Sequence, residues 1–219
     1  EAGPSLADWA NLLGNVREPD FQVCVNFAEG QQVNLMLSMS HIPSRIGTSG
    51  FACTEQVQAG DGFAAQRLST YLSPLGCSLD ADAFRLALPS QELEEARSSQ
   101  PPGDGPMLIL APSSEDQDWP PERWLALPKS ISTRLATLRS STLDPGLPMR
   151  RRAAAVACAD VILSSCAMTQ RLAVYFGIPL VALGATPTDF PPRGDIRCLG
   201  VRSDLASLTE QEVLDALGF

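Results

Sequence analysis

Three polar segments follow apolar runs in the second half of this 219-residue chain, and each carries hydroxyl groups. They are residues 113–119, 164–170 and 184–189. A polar turn directly after a buried strand often leads into a helix, whose first amides and dipole attract an anion. These residue types in this pattern therefore favour the binding of a phosphate or diphosphate group.

The first two segments each allow two interpretations. The first lies in APSSEDQDWPPERW and offers Ser113 and Ser114 to a phosphate. Its alternative is an ordinary acidic β–α loop over a packed tryptophan, because its carboxylates would repel a diphosphate. The second, SSCAMTQRLA, offers Ser165 or Thr169 as a helix cap and Arg171 as a cation. Its alternative is the plain N-cap of a crossover helix with a solvated arginine.

The third segment lies in LGATPTDFPPR, directly after an apolar run. Gly184 permits close approach of the backbone to a ligand, and Thr186 and Thr188 add hydroxyl groups. The alternative is a surface loop stiffened by its prolines.

Other residues that could carry chemistry give weaker signals. Cys166 at a helix N-terminus would have its thiolate favoured, but no histidine stands near it in sequence to act as a base, which makes a cysteine hydrolase remote. His41 is the chain's single histidine, and we expect it at a helix end; a histidine-based metal site is thereby disfavoured. The basic run 150–152 is interpreted as a solvated helix start rather than a phosphate clamp.

Apolar runs predict the elements that position these segments. In the first half we expect strands over 21–27 and 45–47 and helices near 33–39 and 62–76. In the second half we expect strands in MLILA, DVILSS, LVALGA and IRCLGV, and helices after Pro120-Pro121, in MRRRAAAVACA and after Thr209. The run 84–89 is a strand or an extended linker, and 130–150 gives no clear pattern.

Alternating strands and helices with continuous apolar strands predict an α/β fold with parallel, doubly wound sheets. The Pro- and Gly-rich end of the polar stretch 90–106 predicts the domain boundary. We therefore expect a partial N-terminal domain over 1–98, a linker over 99–106 and a C-terminal domain over 107–219, with a cleft between the domains.

Composition restricts the function classes. A net charge of −9 argues against binding to nucleic acid or to an anionic membrane surface, although backbone amides can still hold a nucleotide. None of the six cysteines forms a C-x-x-C pair, which fits a reducing cytoplasmic setting. No apolar stretch approaches the ~18 residues that a membrane-spanning helix needs. Because the chain begins without Met or a signal peptide, we expect a piece of a longer protein.

Four stretches together resemble glycosyltransferase family 9, the ADP-heptose:lipopolysaccharide heptosyltransferases and their relatives. They are FQVCVNFAEG, HIPSRIG, LILAPSSEDQDWPPERW and ADVILSSCAMTQRLAVYFGIPLVALGAT. The third is similar to the family's strand, phosphate loop and W-P-x-E-R-W helix start. The fourth is similar to its A-D-x-x-I-x-x-D-(S/T)-G-x-x-H signature. The resemblance covers most of the chain and implies the GT-B fold, with two Rossmann-like domains and a sugar nucleotide held in the C-terminal one.

The chain departs from the family at four positions. Cys166, Met168 and Arg171 stand where the family signature has Asp, Gly and His, and Gln117 stands where it has a lysine that would neutralise donor phosphate. The family's amino-terminal strand and its Gly-Asp loop, which carries the presumed catalytic Asp, have no counterpart here. The catalytic residues of this chain are therefore unknown. Compared with the family, the stretch between Trp124 and Asp160 is also short by about one strand–helix unit.

The resemblance implies a metal- and cofactor-independent transfer of a sugar from a nucleotide-sugar to a glycan or lipid-linked acceptor. It also implies a cytoplasmic protein, with a peripheral position at the membrane as an option. The implied donor-binding residues are Ser113, Ser114, Gln117, Ser165, Cys166, Met168, Thr169, Arg171, Gly184 and Thr186, with Glu29 and Gly30 on the acceptor side. The alternative is a catalytically degenerate GT-B domain kept as a binding or scaffold module.

Overall fold

The computed structural model describes residues 5–28, 31–48, 50–58, 60, 62–80, 83–115 and 118–219, and only the backbone of residues 31 and 32. Contacts between Cα atoms divide the chain into two compact units, Glu1–Ala81 and Asp82–Phe219. We call them the first unit and the second unit.

The first unit contains a parallel sheet of three short strands in the order β1-β2-β3. Its elements are helix α1 (Leu6–Arg17), strand β1 (Val23–Asn26), helix α2 (Gln31–Ser38), strands β2 (Ser44–Gly47) and β3 (Glu55–Gln56), helix α3 (Ala64–Ser69) and a 3-10 helix over Thr70–Leu75. The strands predicted over 21–27 and 45–47 and both predicted helices are therefore present, with ends shifted by a few residues.

Two small clusters of buried apolar side chains form the core of the first unit. Met36, Leu37 and Ala52 form one cluster, against which Trp9 and Leu13 of α1 pack. A second cluster joins Ile46 on β2 to Val57 and Tyr71. Helix α1 begins at a capping box, in which the hydroxyl of Ser5 accepts from the Asp8 amide and the Asp8 carboxylate accepts from the Ser5 amide.

The second unit contains a parallel sheet of five strands in the order β5-β4-β6-β7-β8. Its elements are α4 (Ser90–Ser98), β4 (Met107–Ala111), α5 (Pro121–Ser132), β5 (Arg139–Thr142), α6 (Met149–Ala157), β6 (Val161–Ser164), α7 (Ala167–Phe176), β7 (Leu180–Leu183), β8 (Ile196–Leu199) and α8 (Glu210–Leu217), with 3-10 helices over Pro187–Asp189 and Arg202–Ser207. The strand order reverses at β4, which has β5 on one side and β6 on the other. In such sheets a crevice opens at the carboxyl ends of the strands beside the reversal.

Both faces of this sheet are covered, as the continuous apolar strands predict. Every residue of β4 is buried. Because side chains alternate across a strand, Met107 and Ile109 join the cluster formed with α6 and α7, whereas Leu108 and Leu110 join the cluster formed with α5 and α8. The sheet therefore fixes the positions of the loops that follow its strands.

The start of α8 and the end of α7 lie at residues whose types are typical of helix ends. Helix α8 begins at the predicted capping box of Thr209 with Glu212. Helix α7 ends at Gly177, whose φ of 75° is left-handed, and Pro179 follows before β7. A Cβ at position 177 would lie 2.5 Å from Nε of Arg85, a contact that the flexible arginine side chain can relieve, so glycine is favoured there by the left-handed conformation.

The boundary between the units lies before the predicted linker, so α4 and residues 99–106 belong to the second unit rather than to the first domain or a free linker. The reason is that polar side chains of this stretch contact α6 and the residue that follows it, which the sequence alone does not indicate. Glu92 of α4 forms an ion pair with Arg150 of α6, and the side-chain amide of Gln100 donates to the Cys158 carbonyl at 3.1 Å.

The sequence left two further stretches open and misjudged the burial of one side chain. Strand β5 lies in the stretch that gave no pattern, because its residues RSST are polar and only half-buried at the edge of the sheet. Residues 84–89 form no strand, although the Leu86 amide donates to the Tyr175 carbonyl at 2.8 Å. Arg152, in the run predicted to be solvated, is only 2 % exposed.

Two tryptophans at the start of α5 provide a test of this packing. The Trp119 indole N–H donates to the Leu208 carbonyl at 2.8 Å, whereas the buried N–H of the neighbouring Trp124 has no acceptor among the described residues. We expect Trp119→Phe to lower the free energy of unfolding by about 1 kcal/mol more than Trp124→Phe, because only Trp119 loses a hydrogen bond. Urea unfolding at pH 7 measures both, and equal costs would contradict the assigned role of the Trp119 bond.

Candidate functional site

The three polar segments identified from the sequence follow β4, β6 and β7. All the strands of the sheet are parallel, so these segments lie at the same edge. A fourth loop, which the sequence analysis did not select, follows β8 at that edge. We refer to the four loops at this edge as the carboxyl-edge loops.

The loops after β4 and β6 are joined by direct hydrogen bonds. The Ser113 amide donates both to Oγ of Ser165, at 2.9 Å, and to Oδ2 of Asp118, at 2.8 Å. Ser165 is fully buried, so its hydroxyl oxygen holds the loop after β4 in place. Two predicted site residues are thereby brought together, but the Ser113 amide and the Ser165 oxygen already satisfy one another.

The end of β6 is bound to both neighbouring strands. Oγ of Ser164 donates to the Ala111 carbonyl at 2.9 Å and accepts from the Cys166 amide at 3.0 Å. The buried side-chain amide of Gln170 donates to the carbonyls of Ser164, at 2.8 Å, and Leu183, at 3.1 Å. These bonds satisfy backbone groups that the ends of the strands would otherwise leave unpaired inside the protein.

Helix α7 begins without a side-chain cap. Its N-cap residue is Cys166, whose thiol makes no capping hydrogen bond, so the expectation that Ser165 or Thr169 caps the helix is wrong. The Ser165 hydroxyl accepts from Ser113 instead, and the buried Thr169 hydroxyl accepts from Arg152. The amides of Ala167, Met168 and Thr169 have no acceptor among the described residues, whereas the amide of Gln170 already donates to the Cys166 carbonyl. An anion-attracting helix start thus exists here, beside the exposed Met168.

Arg152 anchors the start of α7 from inside the protein, a role that the sequence did not indicate. One terminal nitrogen of its guanidinium donates to Oγ1 of Thr169 at 3.1 Å. The other donates to the carbonyls of Asp144 and Pro145, both at 2.8 Å. A buried arginine needs several hydrogen-bond acceptors, and these three provide them. Thr169 therefore has a structural partner, and its hydroxyl does not face the solvent.

The loop after β7 is held together by hydrogen bonds to a carboxylate within the loop itself. The amide and hydroxyl of Thr186 both donate to Oδ2 of Asp189, at 2.9 and 2.8 Å, and the Thr188 hydroxyl lies 3.0 Å from that of Thr186. The bonds from Thr186 hold the pKa of Asp189 below its ordinary value, and the positive charges of Arg171 and Arg202 lower it further.

Arg202, three residues after the end of β8, connects three of the carboxyl-edge loops. It donates to the Glu115 carboxylate at 2.8 Å and to the Ser165 carbonyl at 3.3 Å. A Cβ at Gly184, where φ is 71°, would lie 3.1 Å from Cα of Arg202, so the loop after β7 passes close behind it. The signal that could have found Arg202 is the rule used for the other loops, since it follows the predicted strand IRCLGV.

The remaining candidates stand apart. Ser114 is exposed and makes no hydrogen bond within the described part of the chain, and the exposed Arg171 acts on Asp189 only through its charge. Gln117, Glu29 and Gly30 lie outside the described residues.

The first unit contains the chain's histidine, which lies in the loop after α2 with its Nε2 2.6 Å from a guanidinium nitrogen of Arg17. Across the residues with assigned positions, no group of His, Cys, Asp and Glu is arranged to hold a metal ion, and no helix has the length and hydropathy to span a membrane.

Comparisons with known proteins identify the fold. The chain superposes on a glycosyltransferase family 9 protein from Veillonella parvula with a TM-score of 0.72 at 14 % identity, covering 100 % of this chain and 79 % of that one. E. coli ADP-heptose lipopolysaccharide heptosyltransferase II gives a TM-score of 0.70 at 16 % identity, covering 97 % and 80 %. E. coli heptosyltransferase WaaC with ADP-2-deoxy-2-fluoro heptose gives 0.64 at 12 % identity, covering 99 % and 78 %.

The chain therefore has the fold of these glycosyltransferases, and the resemblance stated from the sequence is confirmed at the level of the fold. The predicted α/β class with two parallel sheets is likewise confirmed. No protein-family model matches the chain, and no curated protein is significantly similar to it in sequence.

The lowered pKa of Asp189 gives a pH-dependent test of the loop after β7. A carboxyl whose folded-state pKa lies below its ordinary value of 3.8 stabilises the fold above that pH, and the contribution is lost as the pH falls through the lowered pKa. We expect Asp189→Asn to be less stable than the parent at pH 7, with a deficit that shrinks as the pH is lowered below 3.8.

Urea unfolding across this pH range measures the difference. Asp104→Asn is the control, because Asp104 is exposed and makes no hydrogen bond in the described part of the structure. A deficit of Asp189→Asn that stayed constant with pH would show that the carboxylate charge is not what closes the loop.

Proposed function

We propose that the second unit binds a nucleoside-diphosphate sugar at its carboxyl-edge loops and that the protein is a glycosyltransferase of the family 9 kind. The observation that carries the proposal is the start of α7, which no side chain caps and which follows the strand next to the reversal of strand order. Arg202 lies close to it, because its guanidinium donates to the carbonyl of Ser165, one residue before the N-cap. In sheets of this type, a diphosphate binds at such a helix start.

The fold neighbours support this choice of ligand. The relatives include E. coli heptosyltransferase WaaC with ADP and with a fluorinated ADP-heptose. We propose that the diphosphate of the donor contacts the first amides of α7 near Met168, with Cys166 at the rim of the site. Ser114 and the hydroxyl of Ser113 would approach from the loop after β4, and Gly184 would allow the loop after β7 to pass close to the ligand.

Transfer of the sugar requires that negative charge on the departing diphosphate be stabilised and that the acceptor hydroxyl lose its proton. Helix amides and arginine side chains supply the first requirement without a metal ion or cofactor. The base for the second is unassigned. We propose that the first unit, through the segment with Glu29 and Gly30, binds a glycan or lipid-linked acceptor, in the cytoplasm or at the membrane surface facing it.

A second candidate function has its own support. The Ser113 amide is occupied by Asp118, and both donors of Thr186 are occupied by Asp189, so two predicted phosphate ligands are already paired with carboxylates. That arrangement favours the alternative of a degenerate domain that binds or scaffolds without catalysis. Transfer or hydrolysis of a nucleotide-sugar by the protein, abolished by changes at the carboxyl-edge loops, would exclude it.

A charge placed at the start of α7 tests the binding site. Met168 is 45 % exposed in the first turn, so Met168→Glu leaves the core intact and puts a carboxylate where the diphosphate would bind. We expect ADP and ADP-sugars to bind the parent measurably by calorimetry, and Met168→Glu to bind at least ~10-fold more weakly through like-charge repulsion.

Leu125→Glu is the matched control, because Leu125 is 81 % exposed on α5. It introduces the same charge on another helix, and we expect its affinity to equal that of the parent. Failure of the parent to bind any nucleotide-sugar at millimolar concentration would refute the proposed function. An equal loss in both variants would refute the placement of the diphosphate at α7.

A further inference from the structure

Among the described residues of the carboxyl-edge loops, an ion pair joins two segments far apart in sequence, at Glu115 after β4 and Arg202 after β8. The Glu115 carboxylate lies 2.8 Å from Nη1 of Arg202, with side chains 65 % and 39 % exposed respectively. Hydrogen bonds from Ser113 to Ser165 and from Trp119 to Leu208 hold the same segments independently of the pair. Exposed pairs of this kind contribute little to stability.

The two ends of this pair are held very differently. Arg202 is held on one side by the Ser165 carbonyl, which its Nη2 contacts, and by the close passage of Gly184 behind its Cα. Glu115 is held only by its backbone, because Arg202 is the one partner of its carboxylate within the described residues. The arginine is thus pre-positioned, and the glutamate is free to leave it.

Two other carboxylates at these loops, those of Asp118 and Asp189, cannot leave their partners as easily. Asp118 accepts from the amides of Ser113 and Trp119, and Asp189 accepts from the amide and hydroxyl of Thr186. Their removal would leave backbone donors unpaired, which costs more than breaking an exposed ion pair. Of these three carboxylates, that of Glu115 is therefore the one that an incoming anion displaces at least cost.

We propose that Arg202 is the diphosphate-binding cation of this site and that the Glu115 carboxylate occupies its guanidinium until the ligand displaces it. This inference rests on the proposed function and extends it. A guanidinium forms paired, charge-assisted hydrogen bonds to phosphate oxygens, whereas the glutamine at position 117 carries no charge. The rotation of Glu115 toward solvent also removes a negative charge from the ligand's side, so one movement has two favourable effects.

The test is a double-mutant cycle on the full chain, with ADP and inorganic pyrophosphate as probes in calorimetry at low salt. We expect Arg202→Met to weaken ADP binding about 10-fold or more, through loss of a charge-assisted contact. We expect Glu115→Gln to strengthen ADP binding about 3- to 10-fold, because the competing carboxylate is gone. Arg197→Met removes an exposed arginine that bonds the Ala216 carbonyl, and should leave the affinity unchanged.

The double variant separates displacement from simple charge removal. If Glu115 acts by occupying Arg202, then Glu115→Gln confers no gain once Arg202 is methionine, and the coupling between the two changes is large. An equal gain in both backgrounds would overturn the proposal, since it would reflect only a general reduction in negative charge. Thermal unfolding midpoints confirm that each variant is folded.

The outcomes for the further inference and for the proposed function are distinct. ADP binding that survives Arg202→Met unchanged overturns the role of Arg202 and leaves the nucleotide site standing. Pyrophosphate binding that depends on Arg202, without any preference for ADP, supports the cation and contradicts the nucleotide. An absence of binding of either probe to the parent and to Glu115→Gln contradicts both.

Discussion

The hydrogen bonds between the ends of β4 and β6 are the constraint on which the site depends. Oγ of Ser164 reaches the Ala111 carbonyl, the amide of Ser165 reaches the same carbonyl, and Oγ of Ser165 accepts from Ser113. These groups are buried at the point where the pairing of β4 and β6 ends, so each needs a hydrogen-bond partner close by. Small hydroxyl side chains satisfy that need without adding volume. The same bonds fix where one loop leaves the sheet and where α7 begins.

That constraint also explains why serine in a promising sequence position did not become an open ligand-binding group. Ser165 and Thr169 were selected because a hydroxyl near a helix start so often caps it or meets an anion. Both hydroxyls instead face inward, one toward the Ser113 amide and the other toward the buried Arg152. A hydroxyl can serve the scaffold or a ligand with equal chemical ease. Only the three-dimensional arrangement of donors decides between them.

The sequence predicted the features that depend on local pattern or on strand direction. The five apolar residues of β4 and the capping box at Thr209 are local signals, and the meeting of the loops follows from parallel strands. Strand β5 was missed because an edge strand of polar residues has no apolar signature. Arg202 and Glu115 were missed as a pair because 87 positions separate them along the chain, and charge carries no information on which distant loop it will meet.

One carbonyl links the two sides of the site. Leu208 accepts from the Trp119 indole and from the Arg123 guanidinium, so the segment after β4 and the segment after β8 are fastened to a common point beneath the surface. Side chains above that fastening can change in evolution without disturbing it. In proteins with this architecture, the acidic and the basic side chain could therefore change places between the two loops, or both could be lost. The backbone around the crevice would keep its conformation in each case.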